Sequence, residues 1–216
     1  MEYALLGWPA DGPTLRLDHR RFAYAGKFVM STTGKAVVRR EGDEEHNGGE
    51  TADRPPGAPD ATDDDTDVVA AVAFDADRTD ERRLRLRYIT VRSDLKGEGI
   101  GARLAAFVAE RAEDRGYDRV AIAVNNPFAY EAMYKAGFAW TGRESGLAEL
   151  VLERPAGTLD HGRAAPDSGT YRAGLDRYRE RDLGDPEASF LAERVGADPP
   201  GTVAVPDGVD PTDPDA

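Results

Sequence analysis

The sequence predicts a mixed α/β (α+β) fold, and three stretches carry that prediction. Residues 84–104 read as an apolar-alternating strand that passes through a glycine-rich turn directly into a helix. Residues 119–138 repeat the order, with a short buried strand from Arg119 to Val124 followed by a capped helix. Residues 68–91 read as an antiparallel hairpin, in which the apolar strand Val68 to Phe74 turns through Asp75 to Arg83 into the strand beginning at Leu84. A chain of 216 residues suits one domain with a real core and some excess.

Taken in order, residues 1–40 offer short strand-like pieces at Tyr3 to Leu6, Leu15 to Leu17, Phe22 to Tyr24 and Phe28 to Met30. Thr32-Thr33-Gly34-Lys35 reads as a turn, with Ala36 to Val38 as the returning strand. From Glu41 to Asp67 apolar residues nearly vanish and Asp63-Asp64-Asp65 form a charge run. Such a segment cannot bury enough apolar area to offset its ordering entropy, which predicts a disordered acidic insertion. In the strand at 84–91, Leu84, Leu86, Tyr88 and Thr90 are expected on one face, and Arg85, Arg87, Ile89 and Val91 on the other.

The helix after that strand begins inside the glycines. Ile100, Leu104, Phe107 and Val108 share a face, and Gly116 stands where a C-cap glycine would. Gly97, Gly99 and Gly101 leave the first unpaired N–H groups bare of bulky side chains, a recipe for holding a phosphate or pyrophosphate. A Walker loop requires Lys-Ser or Lys-Thr after its second glycine, whereas Gly101 is followed by Ala102 and Arg103. A dinucleotide fingerprint fits poorly, because the three glycines are spaced by two and Ala102 would have to serve as the third.

The run Lys96-Gly97-Glu98-Gly99-Ile100-Gly101 resembles the acetyl-CoA loop of the GNAT superfamily of N-acetyltransferases. There, Arg or Gln, two residues, Gly, one residue, and Gly or Ala follow a strand; Lys96 replaces the Arg or Gln and keeps the charge. A second stretch strengthens the likeness. Asn126 as N-cap, Pro127 at N1 and Gly137 as stop define a short helix, and Ala129, Tyr134, Gly137 and Phe138 match the later motif of the family. Together the two motifs span about residues 84–152.

The resemblance implies a GNAT-like mixed, mostly antiparallel central sheet flanked by helices over residues 1–155. It also implies acetyl-CoA as co-substrate, no metal, and an amine-bearing acceptor whose identity is left open. Lys96, Gly97, Gly99, Ile100, Gly101 and Ala102 are then expected at the pyrophosphate, and Ile89, Val91 and Asn126 along the pantetheine arm. A backbone N–H near Val91 is expected at the thioester oxygen. Tyr134 becomes the candidate general acid, since a phenol of pKa about 10 can protonate a departing thiolate of pKa about 8.5 without a large mismatch. Tyr130 is its competitor, and packing is the alternative role for both. Arg92, Lys96 and Arg103 suggest a local positive patch.

No general base can be named. Asp94, Glu144 and Glu149 are candidates; His46 and His161 are assigned no site, and His19 has a claim as a substrate-side residue. Two functional classes stay open: an enzyme that moves acetyl from acetyl-CoA directly to an amine on a small molecule, a peptide N-terminus or a lysine, and a non-catalytic acyl-CoA-binding sensor.

Beyond the second motif, Leu147 to Leu152 reads as a last strand ending at Arg154-Pro155. Residues 156–196 form a linker and two helices, one carrying Tyr171, Leu175 and Tyr178, the other opening at Asp185-Pro186 and bearing Phe190, Leu191 and Val195. They are free to pack on the core, cover a substrate cleft or make a homodimer contact. Residues 197–216, rich in Asp and Pro, are expected to be a disordered tail. The net charge of -13 argues against nucleic acid or an anionic membrane as partner. With 41 acidic residues and only four lysines, Lys27, Lys35, Lys96 and Lys135, the composition points to a salt-adapted microbe or to a GC-rich genome. The absence of cysteine excludes disulfides, thiolate catalysis and Cys-based zinc sites. No secretory leader or membrane-length apolar run is legible, so a cytoplasmic location is expected.

Overall fold

A computed structural model describes residues 1–10, 12–40, 67–158 and 167–210. Of the expected insertion at 41–67, all but Asp67 lies outside the described residues, as do His46 within it, the segment around His161 and residues 211–216 of the expected tail. Among the described residues seven strands form one sheet: β1 (Glu2–Gly7), β2 (Gly34–Arg39), β3 (Val68–Asp77), β4 (Asp80–Val91), β5 (Arg119–Val124), β6 (Ala139–Glu144) and β7 (Leu150–Pro155). Among the described residues four α-helices accompany them: α1 (Ile100–Arg111), α2 (Pro127–Lys135), α3 (Ser168–Arg179) and α4 (Asp185–Ala192). The sheet order is β1-β2-β3-β4-β5-β7-β6, and every neighbouring pair is antiparallel except β4 with β5. Among the described residues no helix is long and apolar enough to cross a membrane.

The parallel pair follows from its connection. A parallel neighbour needs a crossover, and α1 supplies it, burying Ile100, Leu104, Phe107 and Val108 against the sheet. Each such side chain contributes about 2 kcal/mol when fully buried. Gly116, at φ 80, ends the turn after α1 in the left-handed region, as its position in the sequence predicts. The β3–β4 hairpin is tighter than expected: both strands extend through the polar residues to Asp77 and Asp80, leaving only Arg78 and Thr79 to turn, with the Thr79 N–H donating to Asp77 Oδ1 at 2.8 Å.

The face assignment along β4 needs correction. Phe74 pairs with Leu86 while Ala73 pairs with Tyr88, so Arg87 is an extra residue, a β-bulge that reverses the alternation. Ile89 and Val91 therefore pack with Leu84 and Leu86 on the α1 side, whereas Tyr88 joins the core on the opposite face. A period-2 reading cannot see an inserted residue.

The N-terminal third also differs. Leu15 to Leu17, Phe22 to Tyr24 and Phe28 to Met30 form no strands; the segment winds through turns and one 3-10 turn, Ala25–Lys27, burying Leu15, Phe22 and Phe28 over the sheet. β6 was not anticipated, since Gly142 and Arg143 interrupt any apolar alternation, and its pairing with β7 is correspondingly irregular. Residues 197–210 overturn the expected disordered tail. The chain runs back across the helical side: the Val203 N–H donates to the Lys135 carbonyl at 2.8 Å, and Val209 exchanges hydrogen bonds with Tyr3 and Leu5 of β1.

Candidate active site

The site begins where two strands part. β4 and β5 are paired from Arg83 to Leu86 against Arg119 to Ile122. Past that point β4 continues to Val91, held on one edge by β3, and β5 continues to Val124, held by β7. Among the described residues no strand pairs with the other edge of Arg87 to Val91. The Arg92 N–H donates to Val69 of β3 at 2.8 Å, so in an alternating backbone the N–H of Val91 turns away from β3 and faces the opening. A fork with a free row of backbone donors and acceptors results, able to take an extended polar chain as an added strand.

The glycine loop stands at the mouth of this fork. Leu95 anchors it in the core while Lys96, Gly97 and Glu98 are exposed. Gly97 (φ 91) and Gly99 (φ 75) adopt left-handed backbone that only glycine takes without strain. Gly99 is the N-cap of α1, and no side chain caps the helix. Its first N–H groups therefore keep hydrogen-bonding capacity and the positive end of the helix dipole. A Cβ on Gly101 would lie 3.2 Å from Val91 Cγ2, so this glycine lets the helix start settle onto the fork strand beside Ile89 and Val91. Ile100 and Ala102 are buried beneath the loop and position the turn rather than present side chains to it. Bare backbone, glycine at the close approach and an uncapped helix start fit a pyrophosphate group.

The expected positive patch is reduced. Arg92 is buried and clamps Asp94 with two hydrogen bonds, at 2.7 and 2.9 Å. Arg103 donates to the Tyr3 hydroxyl at 3.1 Å and to the Glu98 carbonyl at 2.9 Å. Lys96 alone of the three is exposed.

Asn126 accepts the Ala129 N–H at 2.8 Å, which is the helix-cap role its sequence position predicts. Tyr134 is 6% exposed, and its ring packs on Tyr171 of α3 with centroids 4.4 Å apart. Burial, reinforced by Asp167, pushes its phenol up, so it holds its proton throughout the neutral range. Tyr130, the competitor, is spent on packing: its hydroxyl donates toward the carbonyls of Thr170 and Tyr171, and burial raises its phenol beyond the ordinary range. The candidate bases are occupied as well. Asp94 is held low by the hydrogen bond from Arg92, Glu144 pairs with Arg177 at 2.9 Å, and Glu149 takes a hydrogen bond from Ser145 at 3.0 Å.

On the face away from α1, His19 lines an open hollow of about 510 Å3 with Phe22, Tyr24 and Lys27, and the Tyr24 ring stands 6.1 Å from Tyr88 on β4. Sequence reasoning missed Tyr88 and Tyr24 here, because the bulge and the irregular N-terminal path that bring them together leave no local signature.

The sequence profile of the acetyltransferase (GNAT) family matches residues 30–138, half of the chain, from β2 through α2. This chain belongs to the GNAT acetyltransferase family. Its matched region includes both the fork and the glycine loop. No curated protein matches the sequence. Among solved structures the chain is similar to nourseothricin acetyltransferase, at 21% identity over 57% of this chain and 65% of that one, with a TM-score of 0.40. An IAA acetyltransferase from Bacillus cereus follows at 15% identity, covering 57% and 77%, TM-score 0.39. The ribosomal-protein-S18-alanine N-acetyltransferase from Escherichia coli is 16% identical, covering 45% and 67%, TM-score 0.34. This chain thus spans just under two thirds of the length of the first of these.

Proposed function

We propose that this acetyltransferase is an N-acetyltransferase that moves an acetyl group from acetyl-CoA directly to an amine. The observation that carries this reading is the fork between β4 and β5 with the uncapped, glycine-lined start of α1 at its mouth. Acetyl-CoA supplies a thioester carbon that a neutral amine attacks without a covalent enzyme intermediate. The backbone of Lys96 to Ala102 and the start of α1 hold the pyrophosphate, with Lys96 as a nearby cation. The open edge of Ile89 to Val91 receives the pantetheine amides, and the Val91 N–H polarises the acetyl oxygen. Asn126 fixes the start of α2 beside the end of β5. Holding both reactants in line supplies up to about 7 kcal/mol of the barrier. Tyr134 is the proposed proton donor to the departing thiolate, and substitution decides between that role and packing against Tyr171.

Calorimetric titration with acetyl-CoA and CoA tests the reading, in high-salt buffer because salt screens the self-repulsion of a chain of net charge -13. Saturable binding is expected, with loss of at least tenfold in affinity on changing Gly99 or Gly101 to Val, since a side chain at Gly101 presses on Val91 and lifts the start of α1 off the fork strand, and one at Gly99 strains a left-handed backbone beside Arg103. No binding by the folded wild-type protein overturns it. Tyr134→Phe should lower kcat about 10²-fold or more with acetyl-CoA affinity nearly unchanged. The sensor reading has one observation in its favour, the absence of an uncommitted base among Asp94, Glu144 and Glu149. Binding of acetyl-CoA without CoA release to any amine would establish it instead.

A further inference from the structure

We propose that the amine acceptor carries a carboxylate, which is received by Arg85 in a pocket on the open face of the sheet beside the fork. The inference deepens the acetyl-transfer reading above and rests on it. Leu84 and Leu86 face α1, so their neighbours Arg83 and Arg85 face the other way, and the same alternation puts Ala121 and Ala123 of β5 on that open face. These residues, with Arg143, Ser145 and Glu153 from β6, β7 and their connection, enclose a cavity of about 190 Å3. Arg85 lies opposite Ala121, one pair before the last rung, and Ala123 lies just beyond it, so the cavity spans the point where the strands part.

The charge in this cavity is unevenly distributed. Arg83 is shared by Asp77 at 3.0 Å and Glu153 at 3.1 Å, and Arg143 reaches Glu153 at 2.9 Å, so both carboxylates are neutralised internally. Burial would raise Asp77, but hydrogen bonds from Thr79 and the charge of Arg83 bring it down to about 2, leaving it a fixed anion without affinity for a proton. Arg85 is different. Among the described residues the one carboxylate within ion-pairing distance is Asp77, and the same oxygen that binds Arg83 stands 3.9 Å from Arg85. Three arginines face two carboxylates, a surplus of one positive charge carried by a guanidinium whose side chain is 39% exposed. The floor of small alanines leaves room above the strands for a ligand. A planar guanidinium that is only loosely held internally, in a chain of net charge -13, matches a single carboxylate in bidentate fashion. An anionic acceptor would enter from the face opposite α1, with its amine toward the edge of Ile89 to Val91.

The test is steady-state CoA release by the full chain, with peptides of three to five residues, long enough to bridge the roughly 20 Å of strand between Arg85 and Val91, compared against the corresponding C-terminal amides. Wild-type protein should prefer the free acids by at least tenfold in kcat/KM. Arg85→Ala should raise KM for the acids by about 10–100-fold with a smaller change in kcat, erasing the preference, as expected for loss of a charge-assisted bond; Arg85→Lys should restore part of it. Acetyl-CoA affinity measured by calorimetry, equal in variant and wild type, verifies that Arg85→Ala is folded. Equal use of acids and amides by the wild type, or transfer to neither, overturns the carboxylate subsite while leaving acetyl-CoA binding intact. Failure of the wild type to bind acetyl-CoA overturns the underlying reading, and the subsite with it.

Discussion

Glu131 shows how a single residue acquires its role from its surroundings. It is 7% exposed on α2, yet burial is outweighed by hydrogen bonds from Arg194, Lys135 and Tyr171, which bring its carboxyl down to about 2. The unfolded chain titrates this group near 4.5, so its contribution to stability is complete above that pH and is lost as pH falls toward 2. We expect urea midpoints to decline steeply across this acid range. Glu131→Gln should flatten that decline and cost on the order of 3 kcal/mol at neutral pH, because Arg194 and Lys135 lose their common partner. Arg154 is the cationic counterpart. It is 2% exposed, and its guanidinium donates to the carbonyls of Ala136 at 2.7 Å and Gly157 at 2.9 Å, while burial lowers it to about 10. The residue that sequence reading takes for a strand terminus thus ties the end of α2 to β7.

At the scale of elements, α3 is coupled to the family core through aromatic packing on α2. The Tyr130 ring stacks on Tyr171 with centroids 5.8 Å apart and meets Tyr178 edge-on, and the Tyr178 hydroxyl donates to the Val124 carbonyl at 2.9 Å. Gly174 makes the approach possible, for a Cβ there would come within 2.1 Å of the Tyr130 hydroxyl. Gly174→Ala is therefore expected to destabilise the protein by about 1–3 kcal/mol through overpacking, despite the higher helix propensity of alanine. Urea denaturation would measure it, and amide exchange should show α3 losing protection first. A neutral or stabilising outcome would mean that α3 is not seated on Tyr130. Because Val124 ends β5 at the fork, this packing also bears on the spacing of the site.

For the whole molecule, the segment 197–210 closes the fold. It leaves α4, passes the end of α2 through Val203, crosses α1 where Gly208 abuts Phe107, and joins the edge of β1 through Val209. It thus protects an edge strand that would otherwise be open to intermolecular pairing. Truncation after Pro200 should cost on the order of 3 kcal/mol, a Tm decrease of about 6–12 °C for a chain of this size, and should increase self-association. An unchanged melting temperature would show that the strap contributes nothing to stability.

Signals confined to a few residues were legible in the sequence. The buried apolar run of β5, the Asn126-Pro127 start and Gly137 stop of α2 and the glycines ahead of α1 each depend on neighbours in the chain, and each occupies its expected place, while the β3–β4 hairpin forms as expected with a shorter turn. The glycine loop and the helix that it opens were therefore readable in advance as structure. Tertiary structure alone decided the rest. The fork exists because β4 outruns its pairing with β5, and the Arg87 bulge turns Ile89 and Val91 toward α1; both depend on register between distant strands. The burial of Tyr134 under α3, the loosely held Arg85 and the path of the C-terminal strap likewise arise from contacts between residues tens of positions apart. Local propensity is encoded residue by residue, whereas the surroundings of a charge or a ring are set only when the elements meet.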